Sequence, residues 1–425
     1  MKQASLVIQD IQNNEYNDRL RDVYVDENLL EGQKTRYIQA IEKFISLYGD
    51  KDIEIYSTPG RSEVCGNHTD HQNGEVLASA VNLDIIAVVA KSERVVKILS
   101  DDYDITPIDI TDLIKRDEEE ESSEGLIRGV LYRYQELGYH IGGFDAYMTS
   151  DVLQGSGLSS SAAFEVMVGT ILSGLYNDMS INPVEIAQIG QYSENVYFNK
   201  PCGLMDQCAC SVGSLIHIDF QDKMNPMVER VNVDFSEFKH SLCIVDVHAS
   251  HADLTDDYAS IPTEMKKVAA FFHKEVLRDV DPEEFYKHLP EVRQAVNDRA
   301  VLRTMHLFEE NKRVQKIVKA LNQKDFETFK QVIQASGESS FKYLQNIYSN
   351  HDVAHQAVSI ALGLSESILK GHGVCRVHGG GFAGTIQAFV EDDYVDTYKQ
   401  EIEKYFGQDS CHVLKIRKYG GIKVL

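Results

Sequence analysis

The feature that most constrains this chain is the turn Gly155-Ser156-Gly157-Leu158-Ser159-Ser160-Ser161, which runs straight into Ala162, Ala163 and an apolar stretch at helical spacing through residue 176. A strand-like segment at 144–148 precedes it. Glycines let backbone approach a ligand closely, and the helix behind them offers unpaired N–H groups and the positive end of its dipole, which suits a phosphate. A serine at the helix start also supplies the hard oxygen that Mg²⁺ prefers. No Gly-Lys-Ser or Gly-Lys-Thr occurs, so this is not a Walker A loop. Read alone, the segment equally fits a serine-capped helix with a loose lead-in.

Around this turn the first half mixes strands and helices. Residues 53–56 read as a strand stopped by Thr58-Pro59-Gly60, residues 83–90 as another, and residues 183–196 as a helix with Pro at its first turn. The acidic run from Asp117 to Glu121, followed by Ser122, Ser123 and Glu124, reads as a solvated loop. Helical spacing dominates later, at 262–273, 325–336 and 352–370, followed by strands at 374–377 and 385–390, a helix at 393–406 and a last strand at 413–416. The texture changes near 220–240, and 425 residues exceed one ordinary core, so two domains are expected, 1–230 and 231–425.

Charge narrows the partners. Forty-two basic against 66 acidic residues leave a net charge of −24, which argues against nucleic acid or an anionic membrane as partner but not against a nucleotide held by local dipoles. The richest apolar stretch, Val76 to Ala90, is broken by Asn82 and Asp84, so no membrane span is expected. The opening residues lack the apolar core of a signal peptide, and seven scattered cysteines read as free thiols, which together place the chain in the cytoplasm.

Three further segments carry chemistry. Gly60-Arg61-Ser62-Glu63-Val64-Cys65-Gly66-Asn67-His68-Thr69-Asp70-His71-Gln72-Asn73-Gly74 concentrates hydrogen-bonding side chains, as a polyhydroxylated ligand requires. His68, Asp70 and His71 also fit a metal set, or the segment a plain loop. Arg376-Val377-His378-Gly379-Gly380-Gly381-Phe382-Ala383-Gly384 places three glycines between two strands, either as a structural bulge or as a ligand-facing loop. Glu194 lies twelve positions before Asp206, within Pro201-Cys202-Gly203-Leu204-Met205-Asp206-Gln207. Phosphoryl transfer uses one carboxylate for Mg²⁺ and another near the attacking hydroxyl.

In this order and at these spacings the four segments resemble the galactokinase branch of the kinases named for galactokinase, homoserine kinase, mevalonate kinase and phosphomevalonate kinase, the GHMP kinases. The resemblance runs from about Tyr48 onward. It implies an α+β fold of two domains, the first like ribosomal protein S5 domain 2 and the second ferredoxin-like, with the site in the cleft between them. It implies ATP and Mg²⁺ as cofactors and a monomer that phosphorylates the C1 hydroxyl of a sugar, galactose first. By the same resemblance Arg61 and Asp206 are catalytic, and Asn67, His68, Asp70, Gly203 and Tyr258 bind the sugar. Gly155, Ser156, Gly157, Leu158, Ser159, Ser160, Ser161 and Ala162 cradle the nucleotide, and Ser161 and Glu194 hold the metal.

The motif departs from the family pattern at Glu63, where asparagine is usual, at Asn67, where glutamate is usual, at His71 in place of tyrosine, and at Leu153 in place of proline. The Asn67 change opens the C6 end of the pocket to galacturonate or L-arabinose. A sugar- and ATP-binding sensor without turnover is the rival reading, and a kinase of a non-sugar substrate such as homoserine or mevalonate is the third.

Overall fold

The computed structural model describes residues 1–101, 105–152, 158–200, 202–249, 254–382 and 384–425. Gly155, Ser156 and Gly157 of the expected phosphate turn lie outside the described residues, as do Leu153, Pro201, Ala383 and the 251–253 segment preceding Tyr258.

The first unit is built on the strands β1 (Lys2–Gln3), β2 (Asp52–Cys65), β3 (Glu75–Ser92), β4 (Val95–Ser100), β5 (Ile108–Asp109), β6 (Gly143–Ser150), β7 (Leu215–Asp219) and β8 (Met227–Arg230). They lie in the order β1-β2-β3-β6-β4-β5, with β7 beside β3 and β8 beside β7. Helices α1 (Ala4–Gln12), α2 (Asn17–Tyr24) and α3 (Leu30–Tyr48) cover one face; α4 (Ser123–Glu136), α5 (Ser160–Asn177), α6 (Pro183–Tyr192) and α7 (Met205–Val212) cover the other. This explains why β3 reads as a continuous apolar run. Ile86, Val88 and Ala90 pack under α1–α3, while Ile85, Ala87 and Val89 pack against the opposite layer, so neither face of the strand meets water.

The second unit has the strands β9 (His240–Asp246), β10 (Gly373–Val377), β11 (Thr385–Glu391) and β12 (Cys411–Leu414), antiparallel in the order β10-β11-β9-β12. Between β9 and β10 run α8 (Thr255–Phe271), α9 (Pro282–Lys287), α10 (Leu289–Ala295), α11 (Asp298–Asn322), α12 (Phe326–Ser339) and α13 (Ala357–Leu369); α14 (Val395–Phe406) joins β11 to β12. This is the expected ferredoxin-like β-α-β-β-α-β order with its first crossover enlarged into a helical layer. The chain passes from the first sheet to the second between Arg230 and His240, then returns: β13 (Ile422–Lys423) pairs with Tyr56 and Ser57 of β2.

Asn82 and Asp84, which interrupt the apolar run, are buried and fasten that return. Asn82 accepts from the Lys415 amide at 2.9 Å. Asp84, 0% exposed, takes Arg36 of α3 at 2.7 Å and Arg417 at 3.0 Å.

Two local expectations change. The strand expected to stop at Thr58-Pro59-Gly60 continues to Cys65, with a register shift between Pro59 and Arg61 that absorbs the proline. The acidic run is not wholly solvated. Glu119 receives the buried Arg128 guanidinium on both oxygens, and Ser122 caps α4 by accepting from the Gly125 amide at 3.1 Å. Seven cysteines are free, and among the described residues no helix is long and apolar enough to cross a membrane.

Candidate active site

Leu158 lies against β2, where its carbonyl accepts from the Arg61 amide at 3.1 Å. Ser159 then adopts a left-handed conformation, φ +55°, and α5 begins at Ser160. Ser160, Ser161 and Ala162 occupy the first turn, where backbone N–H groups have no intrahelical acceptor. The Ser159 hydroxyl donates to Oδ2 of Asp206 at the start of α7.

The Arg61 guanidinium closes on the same carboxylate as a two-pronged fork, Nε to Oδ1 at 2.7 Å and Nη2 to Oδ2 at 2.8 Å. Enclosure alone would push the Asp206 carboxyl up, but Arg61 and then Ser159 more than offset it and hold the group below the usual carboxylate range. Asp206 keeps 33% of its side-chain surface exposed against 9% for Arg61, so the carboxylate is the reachable member of the pair.

The polar turn after β2 lies beside this pair. A Cβ built on Gly203 would stand 2.5 Å from Oδ2 of Asp70, so a larger residue here would push that carboxylate aside. Burial pushes the Asp70 carboxyl up against the pull of His68, with the Asp206 charge adding to the rise. Burial pushes His68 down, and its Nε2 bonds the Gly380 carbonyl at 3.0 Å.

The three-glycine segment folds over this turn. Its Gly379 carbonyl accepts from Asn67 at 2.6 Å and its Gly381 carbonyl from the Tyr258 hydroxyl at 2.8 Å. Gly381 has φ +83°, and a Cβ there would fall 1.9 Å from the Asn346 carbonyl oxygen. His378 links the loop to β2, with Nε2 3.1 Å from the Ser62 hydroxyl and Nδ1 2.9 Å from that of Thr385. The site is therefore a cleft between the two units.

On the other side of Asp206 lie two buried carboxyls. Glu194 occupies a π turn, Ser193–Tyr197, and pairs with Lys200 at 3.1 Å. The Gln207 amide nitrogen spans Glu194 at 2.8 Å and Glu165 at 3.1 Å. Burial and then the Glu194 charge push the Glu165 carboxyl well up, and its Oε1 has no hydrogen-bond partner among the described residues. Among the described residues no three of His, Cys, Asp and Glu gather as a metal set, His68, Asp70 and His71 included. Beside Ser160 and Ser161 opens a cavity of about 270 Å³, walled by Ile85, Ile105, Phe164 and Phe198.

The structure brings Arg61, Asn67, His68, Asp70, Gly203, Asp206 and Tyr258 around one cleft, and sets Leu158, Ser159, Ser160, Ser161, Ala162 and Glu194 along its other wall. Sequence reasoning missed Glu165, and gave Gln207 and His378 no role of their own within their segments. Glu165 had a signal, because four residues after Ser161 puts it on the same helix face.

The GHMP kinase N-terminal domain model matches residues 125–214, and the galactokinase galactose-binding signature matches residues 42–91. Among solved structures, a Lactococcus lactis galactokinase complexed with galactose is similar with a TM-score of 0.75 at 23% identity, over 90% of this chain and 98% of that one. A Methanococcus jannaschii mevalonate kinase is similar with a TM-score of 0.60 at 15% identity, over 86% and 98%. The fold is thus the two-domain fold of the GHMP kinases. A galactokinase of Actinobacillus pleuropneumoniae serotype 3 (strain JL03) is 31% identical over 368 residues, which are 85% of this chain and 92% of that relative. The chain belongs to the galactokinase family.

Proposed function

We propose that this chain is an ATP-dependent sugar kinase that phosphorylates galactose at C1, giving galactose 1-phosphate and ADP. The observation that carries the reading is the Arg61–Asp206 fork, tied through Ser159 to the start of α5. Phosphoryl transfer asks a protein mainly to position two substrates and to stabilise charge. Here the residue that orients the acceptor and the helix that receives phosphate are joined by one hydroxyl.

The C1 oxygen attacks the γ-phosphorus, the bond from that phosphorus to the bridging oxygen breaks, and ADP leaves with the electron pair. Asp206, held ionised by Arg61, orients the C1 hydroxyl and receives its proton. The Arg61 charge and the free N–H groups of the first turn of α5 offset the negative charge on the transferring group. His68, Asp70, Tyr258 and the Gly203 backbone hold the ring, and the apolar cavity beside Ser160 takes the adenine.

Ser161 and Glu194 are hard oxygen donors that suit Mg²⁺, and the unpartnered Oε1 of Glu165 beside Glu194 supports a cation here. When bound, Mg²⁺ screens the phosphate charges. One chain carries every group named, so a monomer suffices, and free cysteines suit a reducing cytoplasm.

The test is ADP release by purified protein with ATP, Mg²⁺ and a panel of galactose, galacturonate and L-arabinose. Galactose-dependent ADP production with the highest kcat/KM is expected. Tight binding of galactose and ATP without ADP would make the protein a sensor and overturn the reading.

A further inference from the structure

Glu63 is a buried carboxyl that the mechanism above does not use. It follows Arg61 by two residues on β2, in unbroken register opposite Ala78 and Ala80, so both side chains leave the same face of the strand. The two positions stand roughly 7 Å apart at ~3.3 Å per residue, about the breadth of a pyranose ring. Glu63 is 5% exposed. Its Oε2 accepts from Nδ2 of Asn67 at 3.1 Å, and its Oε1 meets no donor among the described residues. Burial pushes the carboxyl up to about 7, with Arg376 and Arg61 pulling it down and Asp70 pushing it up. A carboxylate oxygen left open on the Arg61 face of β2 can accept a hydrogen bond that a ligand brings.

Asn67, by contrast, has nothing left to offer a ligand. It is 0% exposed. Its amide nitrogen donates to Glu63 and to the Gly379 carbonyl, and its Oδ1 receives Asn346 at 2.8 Å and Ser340 at 3.3 Å. Two donors and two lone pairs are all engaged by protein. The two positions at which the motif exchanges asparagine and glutamate are thus the two ends of one hydrogen bond.

We propose that Glu63 is a specificity-determining residue of the sugar site, its Oε1 taking a hydroxyl on the part of the monosaccharide remote from C1, and that Asn67 is the positioning residue that fixes its Oε2. The proposal rests on the galactose 1-kinase reading. It reassigns to Glu63 the contact expected of Asn67.

The experiment compares wild type and Glu63→Gln by ADP release with galactose and with 3-deoxy-, 4-deoxy- and 6-deoxygalactose. In the variant Asn67 still holds the amide oxygen, so an N–H faces the sugar where an acceptor stood. For galactose, kcat/KM is expected to fall about 10- to 100-fold, the scale of one hydrogen bond to a charged group, carried mainly by KM and with the KM for ATP unchanged. For the one deoxy sugar that lacks the bonded hydroxyl, wild type and variant should agree within about threefold. Should Glu63→Gln not yield folded protein, Glu63→Asp, which keeps the charge and shortens the reach, should show the same pattern with smaller changes. Equal losses on all four sugars would mark Glu63 as structural, and no loss on galactose would remove it from the site; either result overturns the proposal while leaving the kinase reading intact. A wild type that phosphorylates none of these sugars overturns both.

Discussion

Ser159 donates its hydroxyl hydrogen to Oδ2 of Asp206, the same oxygen that receives Nη2 of Arg61. One carboxylate oxygen therefore collects a cation from β2 and a hydroxyl from the residue that opens α5. The proposed phosphate-binding and sugar-binding halves of the cleft meet at that atom.

Removing this hydroxyl tests the coupling. Both donors to Asp206 lower its pKa, so the ionised form that the proposed mechanism needs is present above that value and is lost as pH falls through it. Ser159→Ala removes one of the two, so the acid limb of kcat/KM should move to higher pH. The activity at neutral pH should fall by about tenfold, the scale of one charge-assisted hydrogen bond. A pH–rate profile of the variant beside wild type checks both; an unmoved acid limb would separate Ser159 from Asp206 in function.

Gly203→Ala tests the sugar side. The added methyl meets Asp70 at 2.5 Å, and the carboxylate, being the end of a flexible side chain, must swing away. The KM for galactose should rise about 10- to 100-fold, the cost of a misplacement of about 1 Å, with the KM for ATP nearly unchanged. Steady-state kinetics with each substrate varied in turn makes the comparison.

Asp84→Asn tests the buried anchor of the returning chain end. Burial opposes the ionised form of Asp84, but Arg36 and Arg417 outweigh it and hold its pKa below the ordinary value. The stability it supplies is thus present above the unfolded-state value and lost as pH falls through the lower folded one. The amide leaves the buried Arg417 guanidinium without its counter-charge and Arg36 with Asp151 alone, at a cost of about 3–5 kcal/mol. Urea unfolding at pH 7 should show a lowered midpoint, and the difference from wild type should shrink in acid.

What the sequence made legible was local. The turn into α5 could be read because glycine, serine and a helical apolar pattern stand together within about twenty residues, and the three glycines before β11 because two strands flank them. Asn67 shows what was hidden. Its bonding is settled by Asn346, 279 positions away, and no spacing rule connects them. The same holds for Ser159 and Asp206, 47 positions apart. Helix α11 escaped because it buries Arg303, His306 and Glu310, and such paired polar groups break the apolar period on which helix reading depends. Strand β2 was cut short because Pro59 reads as a stop unless a register shift can be foreseen.

The most direct measurement is the turnover of Asp206→Ala with saturating galactose and MgATP. The variant should bind both substrates and lose at least about 100-fold in kcat, the usual cost of removing a general acid–base group. If it keeps turnover near that of wild type, the fork of Arg61 and Asp206 is not the catalytic centre.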